Sequence, residues 1–388
     1  MDPSLQVWLS VLCILFSTAG ANNSSYPDIV LFTSVFTSID HESGINQSNQ
    51  SEEHIIISND TERYLTSVWL AWFVPSIHTL VVALSLPLNI IAILMFVIKL
   101  KIKKPATVYM LNLASADVLF VSTLPFKIFY EFSGRNWIFG PEMCRFVTAA
   151  FYCNMYCSIL LMTAISIDRF LAVVYPMQAL SWRTVRRASV ACCVIWLIAI
   201  AGVTPLLITE QTKKIPQLNI TTCRDVIDLS VVLEILQYYF SASTILFFFV
   251  PLIISVSCYI CIIRKLSASK ITPEKPGKKR RAKLLSAAVL CSFILCFGPT
   301  NVLALVQNLF LSADQRFEGL TFSYMLALSI GTINCCIDPL IYYYASSECQ
   351  RQVRNLFCHK KHSEFDKSQT TSTNMGTFSN SLNHLSQA

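Results

Sequence analysis

Long apolar runs separated by short polar segments dominate this chain. A helix needs about 20 apolar residues to cross the hydrocarbon core of a bilayer. Seven stretches qualify: Val68–Ile98, Ala106–Phe132, Cys144–Val174, Ala188–Thr209, Ile235–Ile263, Leu284–Leu311 and Leu320–Ala345. The pattern predicts an all-α integral membrane protein, a seven-transmembrane helix bundle with its termini on opposite sides. Pro87, Pro125, Pro205, Pro251, Pro299 and Pro339 interrupt six of the runs. Each frees a backbone carbonyl that neighbouring helices or water must satisfy. Kinked helices around a polar interior suit a molecule that changes shape, although proline is common in membrane helices anyway.

Composition agrees. Of the 388 residues, 54% are hydrophobic and 14% charged, against about 25% charged in a soluble domain, so much of the surface faces lipid. The net charge of +7 does not point to nucleic acid, because Lys and Arg fall in short clusters between the apolar runs. These clusters, Lys99-Lys101-Lys103-Lys104, Arg183-Arg186-Arg187 and Lys278 to Lys283, occupy alternate loops and predict that those loops are cytoplasmic. Glycosylation sequons at Asn22, Asn23, Asn46, Asn49, Asn59 and Asn219 all fall on the other side. Upstream, Val7 to Phe16 is too short to span and precedes Ala19-Gly20-Ala21, a signal-peptidase pattern.

The expected organisation is therefore a signal peptide (1–21), a glycosylated extracellular segment (22–67), the bundle (68–346) and a cytoplasmic tail (347–388). The location is the plasma membrane, multi-pass, with the amino terminus outside. Of fifteen cysteines, Cys13 leaves with the signal peptide, and Cys144 and Cys223 stand at extracellular positions and are the expected disulfide. The cysteines inside spans read as small apolar packers rather than metal ligands.

Ionisable residues inside a span are costly and default to functional hypotheses. Asp117 and Asp338, with Ser158 and Asn334, can form a cluster that binds a cation such as sodium. The alternative is a hydrogen-bonded network without an ion. Asp168-Arg169-Phe170 ends the third run, where Arg169 can pair with Asp168 and swing when a partner docks, or simply snorkel to the interface.

Asn89, Leu113-Ala114-Ser115-Ala116-Asp117, Asp168-Arg169-Phe170, Trp196, Pro251, Phe297-Gly298-Pro299 and Asp338-Pro339-Leu340-Ile341-Tyr342 occur in order, one set per run. Together they resemble the rhodopsin-like G-protein-coupled receptors. Ser85-Leu86-Pro87-Leu88-Asn89, Phe146 to Tyr156, Asn219-Ile220-Thr221-Thr222-Cys223 and Cys335 to Cys349 narrow the resemblance to the proteinase-activated receptors, over roughly Tyr64 to Arg351.

That resemblance implies signalling to heterotrimeric G proteins of the Gq and Gi classes, with Arg169 meeting the α-subunit once the sixth helix swings outward. Tyr259 and Tyr342 stabilise the opened state, Met177 inserts into an apolar pocket of the G protein, and Lys278 to Lys283 line the cleft. Asp338 and Phe170 stand where Asn and Tyr are commoner in rhodopsin-like receptors. The implied ligand is the receptor's own new amino terminus, exposed by an extracellular protease. Asp225 would meet its positive end, and Tyr152 and Tyr324 would line its apolar slot.

After the last run, Val353, Leu356 and Phe357 share a face opposite Arg351 and Arg354, which reads as an interfacial amphipathic helix or as solvated tail. Cys358 is a palmitoylation candidate. Ser363 to Ser386 reads as a disordered substrate for receptor kinases, with arrestin as the partner of the added charge.

One departure stands out: no Lys or Arg precedes Arg63, although activation in this family requires cleavage after a basic residue. A rhodopsin-like receptor for a diffusible peptide or lipid, without a working tether, is the competing reading. A transporter or membrane enzyme is a third, but the sequence lacks an inverted hydropathy repeat and a His-Glu-x-x-His zinc pattern.

Overall fold

A computed structural model describes residues 68–99, 102, 104–225, 233–268, 276–312, 318–345 and 349–351. The signal segment, the sequons at Asn22, Asn23, Asn46, Asn49 and Asn59, and Cys358 lie outside the described residues. Lys278 to Lys283 fall in the helix Pro276–Cys291, but their side chains also lie outside.

Among the described residues, seven helices are long and apolar enough to cross a membrane: Ala71–Ile98, Pro105–Phe132, Gly140–Val174, Val185–Ile208, Tyr239–Ser267, Leu284–Gln307 and Phe322–Tyr343. They are spans one to seven below. The apolar pattern places all seven, with ends shifted by four residues or fewer. Span three packs against spans two, four and five, while spans five and six, six and seven, and seven and one close a ring. The outer surface is apolar: Ile208, Leu197 and Ile253 are 71%, 67% and 64% exposed, as lipid-facing side chains should be.

The prolines shape the helices in different ways. Pro251 and Pro299 cannot donate to the carbonyls of Phe247 and Leu295, four residues back. Those residues lie within wide π-helical turns, Ile245–Phe249 and Ser292–Phe297. Pro125 instead follows a break at Ser122–Thr123 and begins a new helix, Leu124–Phe132. Pro339 sits inside the helix Asn334–Ala345. The carbonyl that it frees, on Cys335, accepts hydrogen bonds from Asn89 Nδ2 at 2.9 Å and Ser85 Oγ at 3.2 Å. Span one thus supplies the donor that span seven lacks.

Between spans four and five an antiparallel hairpin, β1 (Thr212–Ile215) and β2 (Ile220–Cys223), pairs Thr212 with Cys223 and Ile215 with Ile220. Its turn ends on Asn219 at φ 50°, exposed. Asparagine tolerates that left-handed conformation better than most residues. The hairpin docks on the loop between spans two and three: Trp137 N donates to Thr221 O at 2.7 Å, and Thr221 N to Asn136 Oδ1 at 3.0 Å.

Candidate functional site

At the hairpin end, Cys144 and Cys223 form a disulfide with a Cα separation of 5.8 Å, as the sequence predicts. The bridge ties β2 to the start of span three and fixes the residues that follow, Arg224 and Asp225. Beside it a cavity, enclosing about 780 Å³ when space open to solvent is counted, is lined by residues including His78, Glu131, Tyr152, Arg224, Asp225 and Met325. Tyr152 and Tyr324 bring their hydroxyls to 2.8 Å of each other across spans three and seven, so two of the three predicted ligand residues are joined. Asp225 is already engaged: Tyr130 donates to its Oδ2 at 2.6 Å.

Three charged residues of this cavity were not singled out in the sequence. Lys127 Nζ lies 3.7 Å from one oxygen of Glu131 and Arg135 Nε 3.2 Å from the other. The side chains of Glu131 and Arg135 are 5% and 2% exposed. The four-residue spacing of Lys127 and Glu131 was an available signal, because charges one helical turn apart meet on one face. Arg135 lies past the helix end at Phe132, in a turn at φ 61° that brings it back to Glu131.

In the middle of the bundle, Asp117 and Asp338 are completely buried, and Asp117 stands within interaction range of Asp338, Cys335, Tyr342 and Asn154. Asn334 Nδ2 donates to Asp338 Oδ2 at 3.0 Å. Both oxygens of Asp117, Oδ1 of Asp338, Oδ1 of Asn154, Oδ1 of Asn334 and Oγ of Ser158 are buried without a hydrogen-bond partner. Such a set of hard oxygen donors fits a small hard cation. No hydrogen bond ties Ser158 to either carboxylate. No group of three His, Cys, Asp or Glu suited to a metal occurs among the described residues. From this layer Tyr342 donates to Asn89 Oδ1 at 3.2 Å, linking the cluster to the base of span one.

At the opposite end the expected Asp168–Arg169 ion pair is present but loose, and the hydrogen bonds of Asp168 go elsewhere. Asp168 is held by Arg183, whose Nε and Nη2 each lie 2.7 Å from one of its carboxylate oxygens. Arg169 Nε is 3.9 Å away and makes no hydrogen bond. Adjacent residues on a helix point in different directions, whereas Arg183 approaches from beyond the short helix Pro176–Trp182 and presents its planar fork. The bond to Asp168 raises the Arg183 guanidinium further above its ordinary value. Tyr259, buried, has its hydroxyl 3.0 Å from that of Ser166. Met177 is 82% exposed on the short helix, free to meet a partner. The bundle therefore carries a cavity at one end, a charged latch at the other, and a buried polar layer between them.

The chain matches the family described as 7 transmembrane receptor (rhodopsin family) over residues 88–342. It is 58% identical to proteinase-activated receptor 1 of Homo sapiens over 346 residues, 88% of this chain and 81% of the relative. It is 59% identical to proteinase-activated receptor 1 of Xenopus laevis over 308 residues, 79% and 72% of the two chains. Proteinase-activated receptor 2 of Rattus norvegicus is 39% identical over 298 residues, 76% and 74% of the two.

Proposed function

The chain belongs to the proteinase-activated receptors of the rhodopsin family, and from that premise we propose how this member is switched on. As a member it is a multi-pass membrane receptor that signals through G proteins and is not an enzyme. Our reading is that an extracellular protease exposes a new amino terminus within residues 22–62, which enters the hairpin-end cavity. Its ammonium meets Asp225, and its apolar side chains pack against Tyr152 and Tyr324. The carrying observation is that cavity, framed by the Cys144–Cys223 bridge.

The hairpin end then faces outside, with the exposed Asn219 glycosylated and residues 1–21 removed as a signal peptide. The Arg169 end faces the cytoplasm. There Arg169, beside Asp168, and Met177 meet G proteins of the Gq and Gi classes, while Tyr259 and Tyr342 stabilise the opened state. Receptor kinases and arrestin act on the tail, and Cys358 carries a palmitoyl chain. In the polar layer, Asp117, Ser158, Asn334 and Asp338 hold a sodium ion, which supplies positive charge between the carboxylates; their orphaned oxygens support this reading.

Trypsin-like cleavage at Arg63 cannot serve. It would leave Tyr64 to Ser67 ahead of Val68, where the described first helix begins, and four extended residues reach only about 13–15 Å. The protease therefore cuts beside apolar or small residues, within Ile29 to Asp40, with Ser34-Val35-Phe36 as the start of the tether. The test is to record calcium in cells treated with thrombin, trypsin, or an elastase- or chymotrypsin-like protease, and to sequence the new amino terminus. A thrombin response that persists in Arg63→Ala, with cleavage mapped to the exodomain, would refute the non-basic route.

A further inference from the structure

We propose that Arg224 is an acid-binding subsite of the cavity, and that its occupant is an Asp or Glu side chain from residues 22–62 of this chain. The proposal rests on the tethered reading above and adds what the cavity selects.

The charges of the cavity are unevenly matched. Lys127 and Arg135 share Glu131, and Asp225 accepts from Tyr130. Arg224 has no acidic partner among the described residues. Its Nη1 donates to the neutral Gln211 Oε1 at 2.9 Å, and its guanidinium lies 4.9 Å from the Phe240 ring centroid and 5.7 Å from that of Tyr152. A guanidinium held against rings keeps its remaining N–H groups in plane for a carboxylate, which it binds through two parallel hydrogen bonds.

The backbone fixes this presentation. Arg224 has φ 72°, a conformation uncommon for a residue with a side chain. Its amide donates to Gln211 O at 2.8 Å, and its neighbour Cys223 is bridged to Cys144. The surrounding contacts thus hold an arginine in a turn where glycine would be easier.

The proposed occupant has the complementary charge. Residues 22–62 contain seven acidic side chains (Asp28, Asp40, Glu42, Glu52, Glu53, Asp60 and Glu62) and no Lys or Arg. Reach is ample: the 27 residues from 41 to 67 could extend to about 90 Å. A ligand ammonium at Asp225 and a ligand carboxylate at Arg224 then fall on adjacent residues, so the cavity reads a peptide bearing both charges.

The test uses full-length receptor, purified in detergent and also expressed in cells. Fifteen-residue peptides with free amines, tiling residues 22–62, are titrated against the parent receptor, Arg224→Gln and Arg224→Lys, with surface expression confirming folding. One tile should bind. It should weaken about tenfold when its acid is replaced by the amide, and about tenfold against Arg224→Gln. The two changes together should do no more than either alone, the mark of a direct pair. If no tile binds, or if binding ignores both changes, the subsite is wrong. In cells, Arg224-dependent binding without any protease-evoked calcium would sink the tether and keep the subsite. Protease-evoked calcium unchanged within twofold in all seven acid-to-amide variants would sink the subsite and keep the tether.

Discussion

Arg183 grips Asp168 with both arms of its guanidinium, each nitrogen 2.7 Å from a different carboxylate oxygen. The Asp168 side chain is 4% exposed and that of Arg183 25%, so this pair lies partly out of water, where losing one partner strands the other. Arg183→Ala should lower stability by about 1–2 kcal/mol, at the modest end for a charged hydrogen bond because Arg183 is partly solvated. Lysine restores charge but not the fork, so Arg183→Lys should recover only part of the loss. Thermal unfolding of ligand-free receptor in detergent measures this. A lysine variant as stable as the parent would show that the bidentate geometry contributes nothing.

With the hydrogen bonds of Asp168 taken by Arg183, Arg169 keeps a buried Nε without a hydrogen-bond partner. Under the proposed coupling role, Arg169→Ala should abolish G-protein activation and leave surface expression largely intact. Second-messenger output together with cell-surface antibody binding separates the two. Normal output from that variant would remove Arg169 from the coupling machinery.

The polar layer makes a prediction about ions. If sodium binds the layer in the inactive state, it should disfavour activation, because a ligand shifts an equilibrium only by differential affinity. Exchanging sodium for a bulky organic cation should raise basal G-protein activation in the parent. Asp117→Asn should flatten that response. A sodium dependence that survives in Asp117→Asn would favour a hydrogen-bonded network without an ion.

How much of this was legible in the sequence depends on the range of each interaction. The spans were legible because lipid imposes one length on every apolar run. The disulfide followed from topology. The Lys127–Glu131 link was readable as charges one helical turn apart, whereas Arg135 reaches Glu131 only because the chain turns back beyond Phe132. Tyr130 to Asp225 joins residues 95 apart, and nothing in either neighbourhood announces the other. Asp168 was half legible: Arg169 does stand in ion-pairing range, but the basic residue that hydrogen-bonds the carboxylate comes from beyond the next short helix, because the adjacent helical position points elsewhere.

Asn89 makes the last prediction, because one side chain serves two spans. Its amide donates to the Cys335 carbonyl at 2.9 Å, while its oxygen accepts from Tyr342 at 3.2 Å. The carbonyl is available only because Pro339, four residues on, has no N–H to offer. Removing a donor from a buried acceptor costs about 1–3 kcal/mol, so Asn89→Ala should destabilise the receptor by about that much, with Ser85 alone left on the carbonyl. In a Pro339→Ala background the helix regains its own donor to Cys335. There Asn89→Ala should cost at least about 1 kcal/mol less, an interaction of the size expected between residues that share a partner. The remaining cost reflects the stranded Tyr342 hydroxyl and should shrink again when Tyr342→Phe is added. Thermal unfolding of these combinations supplies the cycle. Equal costs for Asn89→Ala in the proline and alanine backgrounds would mean that Asn89 does not compensate for Pro339, and that its place in the bundle rests on Tyr342 and Ser85.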